Sequence, residues 1–494
     1  MDFRRLKLYQ TPIIFSLGCA AFYLSFAYDL ERSDFIKLIG LYAALFFMSF
    51  KLIQVQKNNF WILVSLALIF RLLFIAAIPS LSQDYFRFIW DGRLLANGWN
   101  PYEYIPAELI MSPDFMIAQS RELLHGMGNL SAGHFTNYAP INQFIFAIAG
   151  WLAPSSILFS VILLRIVIIL ADFGTLYFGT QLLRAMRLPD HRIFWYMLNP
   201  FIIIELTGNL HFEGVMVFFL VLSLYLLHKK KWVWSAVVFG LSVSVKLLPL
   251  MFLPLLFRYF KVPTPLRQTI ESHSKSRVSD AKKNHPEPRR SNKEERHPGR
   301  SRRIVGLWKL ILYYLLVLII IATFFLPFIS PGVIHNFFQS IGLWFGKFEF
   351  NASIYYIVRW IGFQVKGYNV IGIAGKILPI VTFLIIMVLS YFRKNNTSRE
   401  LITSMLFAIT AYLFLSTTVH PWYLTIPLVL TVFTQFRYMM LWTAMVILSY
   451  FAYSNAEYQE SSLLIALEYL IVFGYFFWEL FLKRKGNRDL LGFN

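Results

Sequence analysis

The chain has 494 residues, 57% hydrophobic and only 15% charged, with a mean hydropathy of +0.57. Soluble domains run at roughly 45–50% apolar and about 25% charged, so a soluble enzyme, a disordered scaffold and a secreted disulfide domain are excluded. Of the net charge of +20, +9 comes from one stretch, 14 Lys and Arg against 5 Asp and Glu between Arg258 and Arg303, almost without large apolar residues; the rest is scattered at helix ends.

The apolar blocks are each about one membrane crossing long and predict an all-α polytopic membrane protein of about 12–14 helices. The first block follows MDFRRLK and contains the lone Cys19, which rules out an intramolecular disulfide. It lacks a small-residue cleavage site and reads as an uncleaved helix. With Lys and Arg as cytoplasmic markers, helices 11–28, 35–52 and 60–79 leave the chain outside. Segment 80–140 is then a structured external loop, rich in polar and aromatic residues. Helix 156–182 returns the chain to a basic cytoplasmic turn, and 193–207 with 212–228 form a hairpin whose outer turn reads TGNLHFEG.

Block 232–257 must begin and end in the cytoplasm. That requires two short helices meeting near Lys246–Pro249, a re-entrant pair buried in protein and facing the basic loop. Helix 304–326 emerges into a second external segment, 327–365, and helices 369–392, 400–415, 421–436, 438–454 and 463–482 complete the set. The expected organisation is an N-terminal transmembrane module over 1–257 and a C-terminal one over 304–494. Between them, 258–303 is a disordered basic cytoplasmic loop. Neither a folded domain nor an aromatic platform accompanies that basic run, so nucleic acid is not an expected partner.

Polar residues that are costly near a membrane gather at the external ends: Asp84, Asp91, Tyr138, His211, Glu213, Lys347, Glu349, His420 and Tyr423. A helix from Asp84 to about Asn97 sets Asp84, Arg87 and Asp91 on one face, where Arg87 neutralises Asp91 at i+4 and leaves Asp84 the freer carboxylate. The same periodicity fits an interfacial anchor whose charges keep it wet. Arg165 and Asp172 read as members of structural pairs. Glu205, Asn209, His211 and Glu213 sketch a metal site, but their spacing matches no standard ligand set. Asn351-Ala-Ser353 fits the glycosylation sequon.

The order of motifs carries a resemblance. Asp84 after an early membrane helix is followed by Asp91-Gly-Arg, Gly98 and Asn100-Pro101-Tyr102. Farther on come Asn137-Tyr138-Ala139-Pro140, Asn199-Pro200, Gly208-Asn209-Leu210-His211, Lys246-Leu-Leu-Pro249 and His420-Pro421-Trp422-Tyr423. Over most of residues 60–430 this resembles the GT-C glycosyltransferases. The branch it is most similar to holds the polyprenyl-phosphate-mannose-dependent mannosyltransferases and the enzyme adding the first mannose of GPI anchors. Where that enzyme has paired acids, this chain has Ser82-Gln83-Asp84.

The resemblance implies a GT-C-like bundle and an inverting transfer of a sugar, mannose foremost, from a polyprenyl-phosphate donor. The acceptor would be a lipid-linked or cell-envelope glycan on the outer face of a bacterial plasma membrane. Asp84 is the expected catalytic base. Asp91, Arg93, Tyr138, His211, Glu213, Lys347, His420, Trp422 and Tyr423 are the expected substrate contacts. Among them His420, with Lys347 or Arg93, would stabilise the leaving phosphate. Trp422 and Tyr423 would stack on the sugar, line the polyprenyl groove or belong to an interfacial aromatic belt. No cofactor is implied; a divalent metal is compatible but not required. Donors carrying arabinofuranosyl, glucosyl or aminoarabinosyl groups fit the same pattern. A transporter or lipid flippase would instead place its ionisable residues near the midplane on broken helices.

Overall fold

The computed structural model describes residues 3–261, 300–346 and 348–482. These are helical throughout, apart from turns and one isolated parallel bridge between Phe350 and Thr418. Seven described helices are long and apolar enough to cross a membrane. Counting the bent pair Pro200–Gly208 and Glu213–His228 makes eight, and five shorter apolar helices stand beside them. The protein is an all-α polytopic membrane protein.

Its outer surface carries Leu17, Trp61, Leu170, Ile319 and Leu470 exposed, a pattern suited to lipid rather than water. Position in the bundle follows the same logic. The span at Ile304–Phe328 is only 17% buried and stands at the periphery, whereas Ser398–Leu415 is 72% buried and runs through the middle. Local signals set the helix ends. The Asp34 side chain accepts from the Lys37 amide to start Phe35–Gln56, and Thr397 with Glu400 forms a capping box for Ser398–Leu415.

Several elements differ from the sequence expectation. Helix Phe60–Leu72 stops well short of residue 79, and the chain continues through turns to Pro79. Helix Pro140–Leu152, unanticipated, lies against Asp84–Ala96. The two backbones touch: a Cβ on Gly92 would stand 2.1 Å from the Phe146 carbonyl oxygen, and one on Gly150 2.5 Å from the Gly92 carbonyl. Expected helix 193–207 breaks at Asn199-Pro200, where Asn199 caps a new start by accepting from the Phe201 amide. It then widens into a π-helix over Ile203–Gly208.

The break in 232–257 falls at Lys246, whose backbone is extended (φ −155°, ψ 136°) after helix Trp232–Val245. A 3-10 segment, Leu248–Leu255, and helix Leu256–Lys261 bring the chain back. Tyr259 Oη donates to the Leu227 carbonyl (3.4 Å), so both halves of the pair begin and end beside the same turn. Of the basic loop expected over 258–303, residues 262–299 lie outside the described residues.

One end of the bundle is basic. His191 is within electrostatic reach of Lys57, and Arg192 of Arg399 and Arg437. His228, closing the helix that starts at Glu213, meets Ser398 there (2.8 Å). Glu213 therefore lies at the opposite end, and the polar site is built around it.

Candidate active site

Asp84 is the first residue of the loop helix Asp84–Ala96, where the unpaired amides of the first turn favour a negative charge. Its side chain is one-third exposed, at 34%. Burial of the carboxyl outweighs the pull of His211 and Lys246 and holds Asp84 above the ordinary aspartate range.

His211 faces it, with Nε2 4.0 Å from Asp84 Oδ2. On the far side His211 Nδ1 is 3.3 Å from Glu205 Oε2. Glu205 is itself held by Tyr450 Oη (2.7 Å) and Asn209 Nδ2 (3.2 Å). The π-helix and the left-handed Leu210 (φ 63°) bring Glu205, Asn209 and His211 together over one turn. Irregular backbone of this kind recurs at functional sites. Arg165 secures the turn by donating to the carbonyls of Thr207 (2.7 Å), Gly208 (3.1 Å) and Ile75 (2.8 Å). It does not pair with Asp172, whose partner is Arg71 at 2.8 Å, both side chains fully buried.

Glu213 forms an ion pair with Lys246, and the Lys246 ammonium also stands 4.9 Å over the Tyr423 ring. The expectation that the Lys246 break faces the basic loop is corrected here. The extended residue sits at the apex of the returning pair, at the same end as Asp84. Arg32, between the first two long helices, also reaches this end, its guanidinium 3.3 Å over the Tyr453 ring.

Four rings form a column beside these charges. His211 stacks on Trp422 (3.8 Å, 25°), Trp422 on His420 (4.5 Å, 5°) and His420 on Phe350 (5.1 Å, 29°). The bridge pins the column: Phe350 N donates to the Thr417 carbonyl (3.1 Å) and Val419 N to that of Phe350 (2.8 Å). Burial, then Lys246, His211 and Arg32, lower His420 to about 3, so its imidazole is neutral at physiological pH.

The remaining expected contacts divide. Tyr138 packs edge-on against Phe88 (4.9 Å); burial, then Asp84, raises its hydroxyl well above the tyrosine range and keeps it a donor. Asp91 is fully buried, with Oδ1 taken by Arg87 Nε (2.8 Å) and Oδ2 by Gln143 Nε2 (3.0 Å). Arg93 turns away, onto the Ala118 carbonyl (2.6 Å) and Gln119 Oε1 (3.1 Å). Glu349 is engaged by Arg359 (2.8 Å) and Asn369 (2.7 Å). Lys347 lies outside the described residues. Asn351 of the sequon is fully buried, with Nδ2 donating to Glu468 Oε1 (3.2 Å), so it is not presented for glycosylation.

Glu205, Asn209, His211 and Glu213 do not converge as a ligand set, since Glu213 goes to Lys246. Among the described residues no group of three His, Cys, Asp or Glu is placed to hold a metal ion. Lys246 and Arg32 are site members to which motif reading assigns no role, and Glu205 enters it only as part of a metal-site sketch. A π-helix, a helix break and a short polar loop bring them in, and none of these leaves a spacing signature.

Fold and site together define a polytopic helical membrane protein with an acid, an imidazole and an ammonium group converging at one end of its bundle. Residues 36–260 match the family model described as the N-terminal domain of alpha-(1->6)-mannopyranosyltransferases. Two relatives in Corynebacterium glutamicum are similar to parts of the chain. Alpha-(1->6)-mannopyranosyltransferase B is 28% identical over 149 residues, 30% of this chain and 24% of that protein. Alpha-(1->6)-mannopyranosyltransferase A is 25% identical over 176 residues, 35% of this chain and 33% of that protein. The chain thus matches about a quarter to a third of these relatives' length. It is mannosyltransferase-like in sequence, in agreement with the GT-C resemblance. Asp84, Tyr138, Glu205, His211, Glu213 and Lys246 fall inside the matched region; Arg32, His420, Trp422 and Tyr423 fall outside it.

Proposed function

We propose that the protein is an inverting mannosyltransferase that moves mannose from a polyprenyl-phosphate donor to a glycan or glycolipid acceptor. The carrying observation is Asp84 within 4.0 Å of His211, a ring stacked on Trp422, with the Lys246 ammonium at the same site. In this reading the acceptor oxygen attacks the anomeric carbon while its proton passes to the Asp84 carboxylate. The bond from that carbon to the phosphate oxygen breaks, and its electron pair leaves with the lipid phosphate. A buried neutral His420 can offer that phosphate only a hydrogen bond, so Lys246 supplies positive charge. Trp422 offers the sugar a flat apolar face.

The basic end around Arg192 and Arg437 supports a cytoplasmic assignment for that end, which puts the site on the extracytoplasmic side. The test is transfer from radiolabelled polyprenyl-phosphate mannose in proteoliposomes. Asp84→Asn keeps size and hydrogen bonding but removes the proton acceptor, and is expected to cost about 100- to 10,000-fold in turnover. A monodisperse Asp84→Asn protein retaining more than about a tenth of wild-type turnover would remove Asp84 from that role.

A further inference from the structure

The charges at the site are unevenly matched. Lys246 has Glu213 as its ion-pair partner. Arg32 has no such carboxylate within ion-pair distance among the described residues. Asp29 pairs with Lys37 Nζ (2.6 Å), Asp34 caps the helix by accepting from the Lys37 amide (3.0 Å), and the exposed Glu31 makes no ion pair with Arg32. The Arg32 guanidinium carbon stands 3.3 Å over the Tyr453 ring, and its buried Nε has no hydrogen-bond partner. Tyr453 in turn packs on Phe350 of the ring column (centroids 6.0 Å, 34°), which sets Arg32 beside the site. Asp84 and His420 both respond to Arg32 and to Lys246, so the two cations act on the same pair of groups.

A cation held without a counter-ion beside a membrane is costly, and an anionic ligand relieves that cost. Guanidinium stays charged, offers a planar fork that matches phosphate oxygens, and is pre-oriented here by its aromatic platform. We propose that Arg32 binds the phosphate of the lipid-linked donor, together with Lys246. This rests on the glycosyl-transfer reading and adds to it a residue outside the matched region 36–260. A phosphate on a lipid could come from the donor or from a bilayer phospholipid; the proposal commits to the donor.

The test is isothermal titration calorimetry on the full chain in detergent, with farnesyl phosphate as the probe, farnesol as its uncharged counterpart and phosphatidylglycerol as competitor. Wild type is expected to bind farnesyl phosphate in preference to farnesol. Arg32→Ala should weaken that binding about 10- to 100-fold, the usual value of charge-assisted hydrogen bonds, and Arg32→Lys should recover part of it. Arg32→Gln keeps length and hydrogen bonding and serves if the alanine variant is unstable. Unchanged binding in a folded Arg32→Ala or Arg32→Gln protein overturns the assignment and leaves the glycosyl-transfer reading standing. A wild type that fails to distinguish farnesyl phosphate from farnesol overturns both. Displacement by phosphatidylglycerol at matching concentration would give Arg32 to the bilayer and overturn its donor role.

Discussion

As the proposed base, Asp84 would work only when unprotonated, so kcat/KM should fall as pH drops through its pKa. Because that pKa is raised by burial, the acid limb is expected above the ordinary aspartate value of about 3.9. Lys246 holds the carboxyl down. Lys246→Gln should therefore move the limb to still higher pH, besides lowering its plateau through weaker stabilisation of the leaving group. A pH–rate profile separates the two effects, and a limb that stays in place would detach Lys246 from Asp84. Spacing made part of this site legible. The i, i+4 relation of Arg87 and Asp91 gave their pairing, and left Asp84 free, before any coordinates. Lys246 was hidden because its place depends on how the chain returns after an extended residue, and no local pattern encodes that return.

At the level of elements, the loop helix is aimed by contact between backbones, through glycines, rather than by side-chain packing. Gly92→Ala must push helix Asp84–Ala96 away from Pro140–Leu152, since the new methyl would meet the Phe146 carbonyl. Overpacking of this kind costs about 1–3 kcal/mol, and here it should lower turnover as well as Tm by displacing Asp84. Gly40 has nothing within 4 Å of an added Cβ, so Gly40→Ala should match or slightly exceed wild-type stability. Thermal unfolding and turnover of the two variants side by side check the argument. Helix Asp84–Ala96 could be read almost to the residue, because its polar spacing and the Asn97-Gly98 stop, where Asn97 Nδ2 donates to the Arg93 carbonyl (2.8 Å), are local features. Helix Pro140–Leu152 could not. Its thirteen residues are too few for a crossing, and Asn142 and Gln143 at its start look like more loop.

Across the whole molecule, the separation of the basic end from the acidic site predicts orientation. In a Cys19-free background, Ser33→Cys should react with an impermeant maleimide from outside the cell, and Lys230→Cys only after the membrane is breached. The reverse pattern would place the site in the cytoplasm and remove the extracytoplasmic reading. The multi-span architecture was legible because hydrophobic blocks and charge bias are summed over many residues. Packing decided what those sums leave open: which helices sit in the middle, and which polar residues meet.

The ring column has a consequence for biosynthesis. Its first imidazole, His211, enters the membrane with the N-terminal half, together with Asp84 and Lys246. Trp422 and His420 are translated about two hundred residues later. A nascent chain stalled before them would hold an acid and an ammonium group but no stacking surface to orient a sugar. The order of synthesis thus leaves the site incomplete until the segment carrying His420 and Trp422 has been made.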